Sequence, residues 1–407
     1  MRDNTAMKKK ARARAQATGE KYVTAQKQIA AQAPEPVAPR FPAFAALPSP
    51  TRIPTSVHEA SEMYPSFRMQ LGIDESGDIV GVDLTKNPHA LFFGVTGSGK
   101  SVLTRTVIES CRSAGWMLFL CDGKGTDYEG LHRQPGIVAI SQRTADHMRM
   151  VRMVADELRG RQADAWARRQ AGERGPFPCP PLLLLLDEYA TIRASIRDEY
   201  GTDFHEFDSD VQFITRTGRE FRVHVIVSTQ DLSRRNIPAP LLESLSTRVM
   251  LGPSGDAEAF TAFPYSQHET ARRVVSSFES HVRGRGLASF IDDNGDNRIV
   301  EIQTFIGYSR TIEVQTFIGD APGDAKPVPG EDADFTQYRR DVSNTVPSLY
   351  PRLWFQVDGP HYGQPLSALY ACPTVALDRP DGTPDPDMEQ YDPLHPSYLG
   401  AAEAFRP

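Results

Sequence analysis

The chain has 407 residues, of which 40% are hydrophobic and 24% charged, a composition typical of soluble globular proteins. No apolar run reaches the length of a membrane span, and the first residues lack the apolar core of a signal peptide. The four cysteines show none of the paired spacings of metal or redox motifs. We therefore expect a soluble, cytoplasmic protein without a membrane span, and not a disulfide-stapled scaffold.

The N-terminal residues 1–57 are predicted to be an arm and a linker. Residues 1–40 contain nine Lys or Arg against three Asp or Glu, although the whole chain carries a net charge of −7. Seven prolines between positions 34 and 54 forbid regular helix or central strand, so an extended linker is expected there. The basic arm could touch DNA phosphates or be a solvated tail, and the sequence leaves both readings open.

The clearest motif is a glycine-rich loop at residues 94–101, which reads Gly-Val-Thr-Gly-Ser-Gly-Lys-Ser. A predicted strand, His89–Phe93, precedes it and a predicted helix, Val102–Ser110, follows it, as a phosphate-binding loop requires. Lys100 would reach the β- and γ-phosphates of ATP, and the Ser101 hydroxyl would bind Mg²⁺. The predicted nucleotide-binding residues are Gly94, Val95, Thr96, Gly97, Ser98, Gly99, Lys100, Ser101 and Val102.

A second motif is the apolar run Leu182–Leu186, which ends in Asp187 and Glu188. An unbroken apolar run indicates a strand buried on both faces of a parallel sheet, and its carboxylates would then lie at the carboxyl edge of that sheet. A strand at Trp116–Asp122 after the predicted helix indicates a right-handed βαβ unit. We predict that Asp187 holds Mg²⁺ and that Glu188 polarises the attacking water.

A further buried strand, predicted at Val223–Thr229, is followed by Gln230, which could sense the γ-phosphate. Arginines lie near this strand, and an arginine suits the charge that spreads over a transferring phosphoryl group. One of them could act across a subunit boundary, although surface solvation is the simpler reading for each. These arginines are Arg216, Arg219, Arg222 and Arg248.

Taken together, the motifs resemble the FtsK/SpoIIIE family of DNA-pumping ATPases over residues 70–292. Asp122–Gly125 is similar to that family's Asp-Pro-Lys element, with glycine in place of proline. Residues 217–230 are similar to its Gly-Arg…His…Ala-Thr-Gln element. Thr247–Val249 lies where the family has a Thr-Arg-Ile segment, and Gly284–Gly286 resembles its late glycine turn.

The resemblance implies an α/β fold, a RecA-like P-loop ATPase domain with a mainly parallel central sheet flanked by helices, which we place at residues 58–320. It implies a ring, usually of six subunits, around double-stranded DNA, with ATP between neighbours and an arginine supplied in trans. Arg248 is the first candidate for that arginine and Arg219 the second. Residues 321–407 are rich in proline and aspartate, and we predict a largely disordered extension.

The resemblance is incomplete, because membrane helices and a winged-helix module are not found. A small relative from a plasmid, integrative element or phage, serving DNA transfer or segregation, fits better than a cell-division protein. Two alternatives stay open: a protein-secretion ATPase of the type VII kind, and a nucleotide-binding scaffold without motor activity. Residues 298–307 recur with small changes at 310–319, which predicts two strands ending in glycine turns.

Overall fold

The computed structural model describes residues 45–128, 130–278, 283–305, 345–355 and 366–398, together with the isolated residues 16, 19 and 41. The basic arm therefore lies outside the described residues. So does the second copy of the repeat, whereas the first copy contributes to a strand. Among the described helices, none has both the length and the apolar character needed to cross a bilayer.

The apolar runs of the sequence form the strands of one large sheet. Its ten strands are β1 (Met69–Ile73), β2 (Ile79–Val82), β3 (His89–Gly94), β4 (Met117–Asp122), β5 (Ile137–Ser141), β6 (Leu182–Asp187), β7 (Val223–Thr229), β8 (Thr247–Leu251), β9 (Arg285–Ile291) and β10 (Asn297–Thr304). Their order across the sheet is β2-β1-β10-β9-β8-β3-β7-β6-β4-β5. The six strands from β8 to β5 are parallel, and the four from β9 to β2 are joined antiparallel.

Helices cover both faces of this sheet. They are α1 (Val57–Met63), α2 (Lys100–Ser113), α3 (Thr144–Gln170), α4 (Tyr189–Tyr200), α5 (Phe204–Thr217), α6 (Ala239–Ser244), α7 (Asp256–Ala262) and α8 (His268–Val275). Successive strand residues point to opposite faces, so Leu182, Leu184 and Leu186 join one core while Leu183 and Leu185 join the other. This double burial is why β6 is apolar throughout, and it confirms the predicted mainly parallel sheet flanked by helices.

The C-terminal extension differs from the predicted disorder wherever the structure describes it. It forms β11 (Leu353–Phe355), α9 (Leu366–Tyr370) and β12 (Thr374–Ala376), with β11 and β12 paired antiparallel. Phe355, Leu366, Leu369 and Cys372 are buried in the same core as α3. Arg149 of α3 donates to the carbonyl oxygen of Cys372 from Nη2 at 2.8 Å. The apolar residues named here are spaced so that they reach that core.

Candidate nucleotide site

The strand order brings the predicted motifs to one edge of the sheet. Strand β7 lies between β3, which leads into the glycine-rich loop, and β6, which ends in Asp187. All three strands are parallel, so their carboxyl ends meet at the same edge. Gln230, the residue after β7, is therefore placed between the glycine-rich loop and the two carboxylates.

The glycine-rich loop has the backbone conformation of a phosphate cradle. Gly97 and Gly99 adopt φ values of 80° and 104°, in the left-handed region that favours glycine. Gly99 caps α2 without a side-chain hydrogen bond, which leaves the first N–H groups of that helix free for an anion. The loop residues are thus arranged as an anion-binding site at a helix N-terminus.

Lys100, the first residue of α2, points at the carboxylates. It is 4% exposed, and its Nζ lies 2.7 Å from Glu188 Oε1 and 3.3 Å from Asp187 Oδ1. Nζ also donates to Ser228 Oγ on β7 at 3.1 Å. The lysine therefore joins the ends of β6 and β7, and it neutralises part of the negative charge buried there.

Glu188 contacts several of the other site residues. It has φ 53° and ψ 46°, and among the described residues only one other non-glycine residue, Arg222, has a positive φ. Besides Lys100, its Oε1 accepts from Gln230 Nε2 at 2.6 Å and lies 3.1 Å from Lys124 Nζ. Burial opposes ionisation, but the hydrogen bonds from Lys100 and Gln230 outweigh it and lower the pKa of Glu188. The carboxylate is therefore ionised at neutral pH, as a group that polarises water must be.

Asp187 and Ser101 supply oxygen ligands suited to Mg²⁺. Asp187 is 1% exposed and accepts a hydrogen bond from Tyr128 OH at 2.8 Å, which fixes one carboxylate oxygen. Among the described residues, no group of three or more His, Cys, Asp or Glu is arranged to hold a metal ion alone. That fits Mg²⁺ carried with a nucleotide, because this ion binds through one or two protein oxygens together with phosphates and water.

Lys100, Ser101, Lys124 and Gln230 line a cavity of about 470 Å³. The opposite wall comes from β9 and β10: Gly284 N donates to Ser98 O at 2.8 Å, and Gln303 and Thr304 line the cavity. A Cβ added at Gly99 would lie 3.0 Å from Gly284 N, so close packing as well as φ requires glycine there. The loop residues that line the cavity are Val95, Thr96, Gly97, Gly99, Lys100, Ser101 and Val102. A larger cavity of about 760 Å³, between β5 and β11, contains none of the predicted catalytic groups.

Sequence reasoning assigned no site role to two residues of this arrangement, Lys124 and Tyr128. Both belong to the loop that follows β4, which the sequence singled out only through its resemblance to an Asp-Pro-Lys element. Thr96 was predicted to bind nucleotide, and its Oγ1 donates to Gln230 Oε1 at 2.7 Å. Gln230 therefore links the glycine-rich loop directly to Glu188.

The two candidate arginines lie away from this cavity. Arg248 stands opposite Leu91 in the sheet, and its guanidinium donates to the carbonyl oxygens of Leu242, Leu245 and Ala262 at 2.9–3.0 Å. A guanidinium that donates to three carbonyls of its own chain stabilises the fold of that chain. This weighs against Arg248 as the arginine supplied in trans. Arg219 lies in the turn before β7 and is exposed.

Comparison with known proteins agrees with the family resemblance seen in the sequence. Residues 56–251 match the FtsK/SpoIIIE family. EccCa1, an ESX-1 secretion system protein of Mycobacterium tuberculosis, is 30% identical over 231 residues, which are 49% of this chain and 30% of that protein. The DNA translocase SftA of Bacillus subtilis is 24% identical over 253 residues, or 57% of this chain and 24% of that protein. The chain thus spans about a third or less of the length of these two relatives.

Among solved structures, the pCW3 conjugation coupling protein TcpA, a monomer form with ATPγS, superposes with a TM-score of 0.51. The match has 18% sequence identity and covers 65% of this chain and 70% of that one. At this identity the likeness concerns the fold, which is that of a P-loop ATPase.

Proposed function

We propose that this chain, which belongs to the FtsK/SpoIIIE family through residues 56–251, is a motor that couples ATP hydrolysis to the movement of double-stranded DNA. The observation that carries the proposal is the convergence of Lys100, Asp187, Glu188 and Gln230 at one edge of the sheet. This set contains a phosphate-binding cation, an oxygen ligand for Mg²⁺, an ionised carboxylate and an amide that contacts it, all of which phosphoryl transfer to water requires.

In the proposed reaction Lys100 leaves Glu188 and binds the β- and γ-phosphates of ATP, whose charge is greater than that of one carboxylate. Ser101 and Asp187 would hold Mg²⁺, which neutralises charge on the phosphates when bound. Glu188 then accepts a hydrogen bond from the attacking water and aligns it with the γ-phosphate. Gln230 contacts both Thr96 and Glu188. It would couple the presence of the γ-phosphate to the position of the Glu188 carboxylate.

DNA is the proposed partner because relatives of this chain carry that activity in their names, including SftA and the DNA translocase FtsK 2 of Ralstonia nicotianae. A translocating ring would place ATP between neighbouring subunits, and we propose a homo-hexamer in which exposed Arg219 reaches the neighbour's nucleotide. The process served would be DNA transfer or segregation, and the cytoplasmic location expected from the sequence stays a prediction.

A second candidate function is a secretion ATPase that recognises a protein substrate. The observation in its favour is the 30% identity to EccCa1, which exceeds the identity to SftA. Both candidates use the same hydrolytic site, so the site chemistry does not distinguish them. The polymer that stimulates hydrolysis, DNA or polypeptide, distinguishes them.

The deciding experiment measures ATP hydrolysis by the full chain with duplex DNA, with single-stranded DNA and with no addition. We expect duplex DNA to stimulate hydrolysis most, and electron microscopy to show rings on the duplex. The Lys100→Ala variant serves as the inactive control. ATPase activity that no DNA stimulates would overturn the translocase and favour the secretion ATPase. Nucleotide binding without any hydrolysis would favour the remaining alternative, a nucleotide-binding scaffold without motor activity.

A further inference from the structure

Lys124 is a second lysine at the nucleotide cavity. Its Nζ lies 3.1 Å from Glu188 Oε1 and 3.3 Å from Asp127 Oδ2, and its side chain is 39% exposed. It also lines the cavity that contains Lys100 and Ser101. Lys124 is thus a partly exposed cation that contacts Glu188 from the loop after β4.

The loop that carries Lys124 is held rigidly by Asp122, the last residue of β4. Asp122 is fully buried, and its two carboxylate oxygens accept hydrogen bonds from four backbone N–H groups. These groups belong to Lys124, Gly125, Asp127 and Tyr128. A single buried carboxylate with four N–H donors fixes the loop far more firmly than a surface turn.

The loop is also fastened to the end of β6. Gly123 N donates to the carbonyl oxygen of Asp187 at 3.1 Å, and a Cβ at Gly123 would lie 2.8 Å from that oxygen. Only glycine therefore permits this approach. Because Tyr128 OH binds the Asp187 carboxylate as well, both ends of the loop are tied to the residue next to Glu188. The position of Lys124 relative to Glu188 is set by the fold.

We infer that Lys124 is a positioning residue that holds the Glu188 carboxylate in its orientation once Lys100 has moved to the nucleotide phosphates. The inference rests on the proposed function, in which Glu188 aligns the attacking water. Without nucleotide, Glu188 Oε1 is near two ammonium groups and one amide. After Lys100 leaves, Lys124 is the cation that remains on the carboxylate, and it preserves the orientation of that carboxylate.

The test compares Lys124→Met with Lys124→Arg and with the matched control Lys86→Met. Lys86 has a similar exposure of 34%, but it binds Asp293 in the turn between β9 and β10. For each full-length variant we would measure the melting temperature, the dissociation constant for ATPγS, and kcat for ATP hydrolysis. A positioning residue affects the last measurement and spares the first two.

For Lys124→Met we expect kcat to fall about 10- to 100-fold at neutral pH, with unchanged ATPγS binding. Lys124→Arg should recover most of kcat, and Lys86→Met should match the wild type. An ATPγS dissociation constant that rises as much as kcat falls would overturn the inference, since Lys124 would then be a phosphate ligand.

Two further outcomes separate the inference from the proposed function. Full activity of Lys124→Met overturns the inference alone. Absence of hydrolysis by the wild-type chain, with and without DNA, overturns the proposed function and the inference together.

Discussion

The ammonium of Lys100 lies 2.7 Å from the carboxylate of Glu188, so the group expected to bind phosphate and the group expected to align water are paired with each other. Both side chains are about 95% buried, which strengthens their attraction compared with a surface pair. A nucleotide must therefore compete with Glu188 for Lys100. This pairing holds both side chains in place. While it lasts, Lys100 does not bind phosphate and Glu188 does not align water.

Replacing Lys100 by alanine should abolish ATP turnover, because the cation that meets the β- and γ-phosphates is removed. Phosphate release would be measured with and without duplex DNA, and Lys86→Ala would control for the loss of a lysine elsewhere. Hydrolysis at the wild-type rate would contradict the assignment of the glycine-rich loop.

Replacing Glu188 by glutamine should separate binding from hydrolysis. The amide keeps the size of the side chain but loses the charge, so Lys100 loses the nearer of its two carboxylate partners and ATPγS should bind at least as tightly as to the wild type. Hydrolysis should slow by about 10²- to 10⁴-fold, the range that a general base contributes. Equilibrium binding and single-turnover hydrolysis are the measurements. If ATPγS binding is lost as well, Glu188 has a structural role instead.

The two arginines should respond differently to alanine substitution. Arg248→Ala leaves three carbonyls without their donor and should destabilise the fold by about 1–3 kcal/mol, seen as a lower melting temperature. Arg219→Ala, on an exposed turn, should leave the melting temperature unchanged and reduce DNA-stimulated hydrolysis. Activity should partly return when Arg219→Ala subunits are mixed with Lys100→Ala subunits, because some interfaces then combine two intact partners. Co-assembled but inactive mixtures would show that Arg219 does not act in trans.

Stability should depend on pH through buried histidines. Burial lowers the pKa of His147 to about 3, from an ordinary value near 6.5. Between these values the unfolded chain takes up a proton that the folded chain does not, so stability is lost as the pH falls. His147→Gln should reduce the pH dependence of the unfolding free energy between pH 6 and 4.5 by about 1.4 kcal/mol per pH unit. Urea unfolding at several pH values checks this, and equal slopes for the two proteins would disprove it.

The C-terminal extension should contribute to the stability of the ATPase domain. Leu369 of α9 is 1% exposed in the core shared with α3, so Leu369→Ala should cost about 2–5 kcal/mol of unfolding free energy. Leu394, in the same extension, is 41% exposed, and Leu394→Ala should change stability little. Equal effects of the two substitutions in denaturant unfolding would show that the extension does not belong to the core.

The sequence predicted the central strands and the two nucleotide motifs because each has a local signature, a glycine pattern or an apolar run with a carboxylate at its end. It did not predict that Lys124 contacts Glu188, since the lysine approaches Glu188 only after the four hydrogen bonds of Asp122 shape the loop. The surroundings of Arg248 could not be predicted for a related reason. Its three carbonyl partners belong to α6, the residue that caps it and α7, and no local pattern shows that they surround the guanidinium.

The left-handed backbone conformation of Glu188 affects which residues can replace it during evolution. A glutamate with φ 53° is conformationally costly, whereas glycine or asparagine occupies that region readily. In the empty site the pair with Lys100 offsets this cost, so the glutamate is a net liability only once a nucleotide has taken the lysine, and there selection for turnover retains it. In a lineage that no longer needed hydrolysis, position 188 should drift to glycine or asparagine while the apolar residues of β6 stay. The residue at this single position would then distinguish working motors from relatives that have become passive nucleotide binders.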